Sequence, residues 1–206
     1  MSRRRVLEFV VAALVFLLLL SVLFVRSTWH GTLPPPITLF HESPGAPPDF
    51  SSGAYRALRA RAPDGAREAA LYPAEFEVPS ALYVLAPGRA PRRFLLADSL
   101  STTLNPKWVG WLDADLLGLT LGELYGTVSP GGDLFLVDPE TGRAAVLWAS
   151  PDSGQTQALS ARPEGQGEVR VRLAVFGPAM SGPRDSTLVL PSQAVARARQ
   201  ILRPAG

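Results

Sequence analysis

The sequence contains no cysteine. This absence excludes disulfide bonds, thiolate-ligated metal centres and catalysis by a thiol nucleophile. It also excludes a lipoprotein signal, because bacterial lipoproteins are acylated on a cysteine. An exported bacterial domain that needs no disulfides fits this composition.

Histidine and lysine are nearly absent as well. The chain has two histidines, His30 and His41, and one lysine, Lys107. The histidines lie eleven residues apart in a proline-rich stretch and lack the i, i+4 spacing typical of a zinc site. No G-x-S-x-G, Walker or H-E-x-x-H motif occurs. We therefore predict a protein that is not an enzyme, with no catalytic residues, no metal site and no cofactor.

The best acidic cluster is Asp113, Asp115 and Glu123. On the helix predicted for this segment, the two aspartates point in different directions. Asp115 and Glu123 share a face but lie two turns, about 12 Å, apart, which is too far for a glycosidase pair. We expect solvated carboxylates, and a carboxylate-dependent hydrolase is the least favoured alternative.

The positive net charge of the chain is concentrated near its start. When the arginines at positions 3–5 and 26 and Glu8 are set aside, sixteen basic and seventeen acidic residues remain. The remainder is essentially neutral and has no basic stripe that could follow a phosphate backbone. The sequence therefore predicts no nucleic-acid partner.

One long apolar run, residues 6–25, has a length that matches the hydrocarbon core of a bilayer. We predict a transmembrane helix there, and the alternative of a cleaved signal peptide lacks a small-residue cleavage site. Arginines before the span place residues 1–5 in the cytoplasm. The remaining chain is then a periplasmic or otherwise extracytoplasmic domain of a single-pass inner-membrane protein. The predicted anchor and interface residues are Arg3, Arg4, Arg5, Phe16, Leu18 and Trp29.

Residues 26–49 form a proline-rich linker next to the predicted membrane span. Proline fixes φ and lacks an N–H, so this stretch should be extended. Ile37, Leu39 and Phe40 are apolar positions within it, and they are candidate contacts for a partner protein.

The remaining chain, residues 50–206, is predicted to be one α+β domain with an antiparallel sheet and a few short helices. Residues 107–125 show apolar residues at spacings of three and four, which predicts a helix. Trp108 and Trp111 on its apolar stripe are either core residues or further partner contacts. Short helices are also predicted near residues 51–62 and 66–71.

Residues 131–149 show the clearest hairpin pattern, with two apolar runs flanking the turn DPETG. This piece resembles single hairpins of quinoprotein-type propeller blades and of Smi1/Knr4-type immunity domains. The likeness consists of turn chemistry and implies no activity. Strands are also predicted at 168–176 and 186–190, and a last helix runs through residue 202, capped by Ser192.

We interpret this architecture as an accessory or scaffolding subunit of a larger bacterial membrane complex, with the lipid bilayer and other proteins as partners. The complex could be energy-transducing, secretory or envelope-building. The alternative is a ligand-binding or sensor module with a pocket under residues 107–125.

Overall fold

Antiparallel β-strands dominate the computed structural model, which describes residues 35–50, 55–75, 77–125, 130–152, 154–177 and 182–203. The chain divides into two units, residues 1–35 and 36–206, and all the strands and helices of the described residues belong to the second. The strands are β1 (Ile37–Thr38), β2 (Phe40–Glu42), β3 (Leu58–Arg61), β4 (Glu68–Tyr72), β5 (Ala81–Leu85), β6 (Arg92–Leu96), β7 (Leu104–Trp111), β8 (Leu117–Glu123), β9 (Asp133–Val137), β10 (Arg143–Trp148), β11 (Thr156–Pro163), β12 (Val169–Val175) and β13 (Arg184–Leu190); the helices are α1 (Asp98–Ser101) and α2 (Ser192–Leu202).

The strands form three antiparallel sheets. Sheet 1 has the order β2-β6-β5-β4-β3, sheet 2 the order β1-β10-β9-β8-β7, and sheet 3 the order β11-β12-β13. In sheets 1 and 2, four consecutive strands form a meander. A short N-terminal strand is then added to the last strand of each meander.

Residues 37–42 join sheets 1 and 2 along one side, and we call them the N-terminal seam. Ile37 pairs with Ala144 in sheet 2, whereas Phe40 pairs with Leu96 in sheet 1. Leu39, which lies between the two strands, is 1% exposed. The seam therefore belongs to both sheets and to the core between them.

The main core lies between sheets 1 and 2. Alternate residues of β8, namely Leu117, Leu119 and Leu121, face this core together with Phe94 of sheet 1. On the opposite side from the seam, β3 packs against β7, and the indole N–H of Trp111 donates to the Ala60 carbonyl at 3.0 Å. Both lateral sides of the sandwich are thus connected.

The other face of sheet 2 is covered by sheet 3 and α2. Strand β11 packs against β7 and β8, and α2 packs against β10. Sheet 3 contributes the buried side chains of Val169, Val171 and Leu173. Because sheet 2 is buried on both faces, nearly every residue of its central strands is apolar or glycine.

Three glycines, Gly122, Gly131 and Gly132, allow the backbones of β8, of the segment before β9 and of β11 to meet. An ideal Cβ at Gly132 would lie 2.0 Å from the Leu121 carbonyl oxygen, and one at Gly122 would lie 1.9 Å from the Gly131 carbonyl oxygen. Gly132 also exchanges two backbone hydrogen bonds with Ala158, at 3.1 and 2.8 Å. Only glycine permits backbones to approach this closely.

The α+β prediction is wrong, because the described chain is mostly β-sheet. Residues 107–125 are not a helix; they form the β7–β8 hairpin. Residues 66–71 belong largely to β4, and residues 58–61 of the first predicted helix are β3. Apolar residues on both faces of a buried strand also satisfy a spacing of three or four, and this produced the error.

Other local predictions are confirmed. Residues 131–149 form the β9–β10 hairpin, with Gly142 at a φ of 68° in its turn. Strand β12 and helix α2 also lie where predicted. Ser192, however, is the first helical residue, and no side chain caps this end of α2.

None of the described helices is long and apolar enough to cross a membrane. The span predicted at residues 6–25 lies outside the described residues. The same holds for the proposed anchor and interface positions Arg3, Arg4, Arg5, Phe16, Leu18 and Trp29.

Candidate interaction surface

The predicted partner-contact residues have different environments in the structure. Ile37 is 42% exposed, whereas Leu39, Phe40 and Trp111 are at most 6% exposed and pack into the main core. Trp108 is half-buried. Of these five, Ile37 has the largest exposed fraction, and its contact with a partner stays a prediction.

The ring of Trp108 lies across two glycines that are partners in the β7–β8 pair. Cβ atoms built on Gly110 and Gly118 would approach this ring to 2.3 and 3.1 Å. The aromatic ring therefore covers backbone that glycine leaves bare, a device that stabilises strands rich in glycine. This packing explains the presence of Trp108 at this position, and no contact with a partner protein is needed to explain it.

The acidic residues singled out from the sequence do not form one site. Asp113 accepts hydrogen bonds from the backbone N–H groups of Asp115 and Leu116 within the β7–β8 turn, and it pairs with Arg199 of α2. Glu123 lies at the far end of β8. Asp113 therefore shapes the turn and holds α2 against it.

His41 lies on β2, and sequence reasoning missed its surroundings. It lines a cavity of about 200 Å³ together with Ser80, Asp98 and Ser101. The Ser80 hydroxyl donates to the Pro73 carbonyl at 2.6 Å, and the Ser101 hydroxyl donates to the Asp98 carbonyl at 3.2 Å. Both serines thus bond to backbone, and neither is arranged as a nucleophile with a base.

Lys107 is half-buried beside a cavity of about 160 Å³ that Arg56, Glu75 and Asn105 also line. Burial lowers the pKa of Lys107 below its ordinary value, and the nearby Glu123 carboxylate partly opposes this shift. Across the described ranges, no group of three histidine or acidic side chains could hold a metal ion.

The outer side of β13 is a candidate recognition element among the described residues, and we call it the β13 edge. The sequence RDSTLVL pairs with β12 over seven residues without a bulge. In the described part of the chain, no strand pairs with the other side of β13. Its side chains are mostly exposed, and Val189 is 40% exposed.

The other sheet edges are protected. Strands β1 and β2 have only two and three residues. Strands β3 and β7 pack against each other, and β11 is bridged to Gly132. In contrast, β13 carries charge only at Arg184 and Asp185, and it contains neither proline nor an inward-pointing charge among residues 186–190. Proteins usually protect a long edge strand with such features, so an unprotected one favours pairing with another chain.

Comparisons with known proteins support the fold and leave the function open. Residues 92–178 match the family model described as a domain of unknown function, DUF4652. No curated protein matches the sequence. The matched residues begin at β6 and end just after β12, so they include the four-strand meander β7–β10 of sheet 2 but not β1 or the β13 edge.

A solved structure has a similar fold. It is the crystal structure of a predicted conserved lipoprotein from Clostridium novyi NT, with a TM-score of 0.62 and 19% sequence identity, and the alignment covers 76% of this chain and 98% of that one. At this identity the likeness shows the fold alone.

These findings correct the predicted localisation. A single-pass inner-membrane protein with a periplasmic domain is not supported. The helices in the described ranges are too short or too polar to cross a membrane, and the similar solved structure is that of a predicted lipoprotein. The bitopic, signal-anchor interpretation is therefore withdrawn.

Proposed function

We propose that this protein is a noncatalytic interaction domain that binds an extended segment of a partner protein by adding it as a strand to the β13 edge. The observation that carries the proposal is the seven-residue strand whose outer side has no partner among the described residues. Backbone N–H and C=O groups on such an edge offer a row of hydrogen bonds, and alternate side chains provide specificity.

The charges on β13 favour a different protein as the partner over a second copy of this chain. In an antiparallel self-pairing centred on Thr187, the middle residue of the strand, Arg184 would face Leu190 and Asp185 would face Val189. Such a pairing leaves Arg184 without a complement, whereas Asp185 already bonds to Arg172 within sheet 3. A partner segment with an acidic residue opposite Arg184 would satisfy this charge.

The test is partner retention by the full chain purified from its source cells. Val189→Lys places a charge on the edge, and Val146→Lys is the matched control on β10, because these two valines are 40% and 44% exposed. We expect one partner to be retained by the wild type and by Val146→Lys. With Val189→Lys, recovery of that partner should fall by about tenfold or more.

Amide hydrogen exchange gives an independent readout of the same complex. Amides of residues 184–190 that face outward should exchange quickly in the isolated protein and become protected in the complex. The proposal is overturned if Val189→Lys retains the partner as well as Val146→Lys does. It also fails if protection appears elsewhere on the domain and not in β13.

A second candidate function is small-ligand binding near the end of the β7–β8 hairpin. A cavity of about 490 Å³ there is lined by Leu104, Asp133, Ser150 and Gln157 together with several glycines. A ligand for this cavity would raise the midpoint of thermal unfolding. Asp133→Asn would weaken that effect without changing binding at the β13 edge.

A further inference from the structure

The outer face of sheet 3 carries three arginines around one cavity, which we call the arginine cavity. Arg162 lies directly opposite Arg170 in the β11–β12 pairing, and Arg172 lies two residues further along β12. Cross-strand neighbours on one face are about 5 Å apart at Cβ. The pairing register therefore brings three guanidinium groups to the same face.

Two hydroxyl groups complete the surroundings of these arginines. Arg172 has Ser160 as its partner on one side and Thr187 on the other. All five of these side chains line a cavity of about 270 Å³. Ser160, Arg172 and Thr187 thus form a row across the three strands, beside the facing pair Arg162 and Arg170.

Carboxylates neutralise only part of this positive charge. Glu164 accepts two hydrogen bonds from Arg170, and Asp185 accepts one from Arg172 at 2.8 Å. The bonds from Arg170 lower the pKa of Glu164, and the charge of Arg162 contributes a smaller effect in the same direction. Three cations and two carboxylates leave a net charge of about +1, and each guanidinium keeps N–H groups that these carboxylates do not use.

Like charges directly opposite each other on a sheet are unfavourable. The Arg162–Arg170 pair therefore gains from an anion placed between its members. Guanidinium forks combined with hydroxyl donors match the oxygens of a tetrahedral anion. We propose that the arginine cavity binds a tetrahedral oxyanion, phosphate or sulfate, either free or as the terminal group of a larger molecule.

The test is calorimetric titration of the full-length protein with inorganic phosphate and, separately, with sulfate, against chloride at matched ionic strength. We expect saturable binding of at least one oxyanion and none of chloride. Arg162→Gln should weaken that binding by about tenfold or more, and Arg162→Lys should weaken it less, because it keeps the charge but loses the fork.

Arg143→Gln is the matched control, since Arg143 is another exposed strand arginine and lies on sheet 2. It removes the same charge and should change the affinity by less than about twofold, because distant surface charges are screened. Far-UV circular dichroism establishes that each variant is folded. The proposal is overturned if neither oxyanion binds more tightly than chloride. It is also overturned if Arg162→Gln and Arg143→Gln weaken binding equally.

A further arm separates two sources of the same anion. The protein is sedimented with phosphatidylcholine vesicles prepared with and without phosphatidic acid. Co-sedimentation that needs phosphatidic acid and is lost in Arg162→Gln would assign a lipid phosphate. Binding of inorganic phosphate without co-sedimentation would assign a soluble anion. Neither result depends on partner binding at the β13 edge, so the two proposals fail separately.

Discussion

Replacing Gly132 by alanine should strongly destabilise the protein. The added Cβ would lie 2.0 Å from the Leu121 carbonyl oxygen and 2.7 Å from the Gly122 Cα, and both of these atoms belong to backbone. A backbone atom cannot move aside as a flexible side chain can. The start of β9 must therefore shift away from β8 by about 1 Å or more for an ordinary contact to be restored.

The cost can be worked out from what this shift disturbs. Overpacking a well-packed interior costs about 1–3 kcal/mol. The shift also strains the two hydrogen bonds between Gly132 and Ala158, which connect sheets 2 and 3. Each contributes about 1 kcal/mol, and each costs about 1–3 kcal/mol when its buried groups are left unsatisfied. We expect a loss of about 3–6 kcal/mol, a large part of the stability of an ordinary domain.

Urea unfolding followed by tryptophan fluorescence measures this loss, and the chain has four tryptophans to report it. Gly165→Ala is the control, because nothing lies within 4 Å of a Cβ at that position. That variant should remain within about 0.5 kcal/mol of the wild type. Equal unfolding midpoints for Gly132→Ala and Gly165→Ala would refute the close-approach argument.

Three further predictions concern buried polar groups and pH. Asn105→Ala leaves the backbone N–H of residue 80 and the carbonyl of residue 78 without their side-chain partner. The free energy of unfolding in urea should therefore fall by about 2–4 kcal/mol, and a decrease below about 1 kcal/mol would contradict this. Trp111→Phe replaces the indole by a smaller ring and loses the N–H that bonds to Ala60, so calorimetry should show a loss about 1–2 kcal/mol larger than in Trp148→Phe, which also makes the ring smaller. Hydrogen bonds, chiefly from the Thr156 hydroxyl, hold the pKa of Asp152 below its ordinary 3.8. The ionised carboxylate therefore stabilises the folded state fully at pH values above 3.8, and this contribution is lost as the pH falls through the folded-state pKa. Asp152→Asn should therefore show a flatter acid dependence of the unfolding midpoint, and identical pH profiles would argue against the carboxylate's role.

The hairpins were predictable because their signals are local. The turn between β9 and β10 needs a residue with positive φ, and Gly142 supplies it. Strand β12 alternates apolar and arginine residues because only one of its faces is buried. Both patterns are visible without knowledge of the rest of the fold.

The β7–β8 hairpin was not predictable in the same way. Sheet 2 is buried on both faces. Trp111 packs into the main core, and Leu112 and Leu116 in the adjoining turn are buried as well. A strand without a polar face shows no clear period of two, and its apolar residues also fit a helical spacing. Gly110 and Gly118 were the useful signal, since paired glycines are unfavourable in a helix but suit a strand covered by an aromatic ring.

The β13 edge and the arginine cavity depend on strand order, which composition does not determine. The residues at 162, 170 and 172 are unremarkable as separate positions in the sequence. Pairing β11 with β12 in one register places them together, and a shift of one residue would move Arg162 to the face opposite Arg170 and Arg172. Likewise, nothing local to RDSTLVL shows that it ends a sheet.

The N-terminal seam has a consequence for the order in which the chain can fold during synthesis. Residues 37–42 leave the ribosome well before Leu96 and long before Ala144, the residues with which they pair. The seam must therefore wait, unpaired, until both meanders exist. Such distant pairings close slowly, so attachment of this segment should be among the last steps in folding.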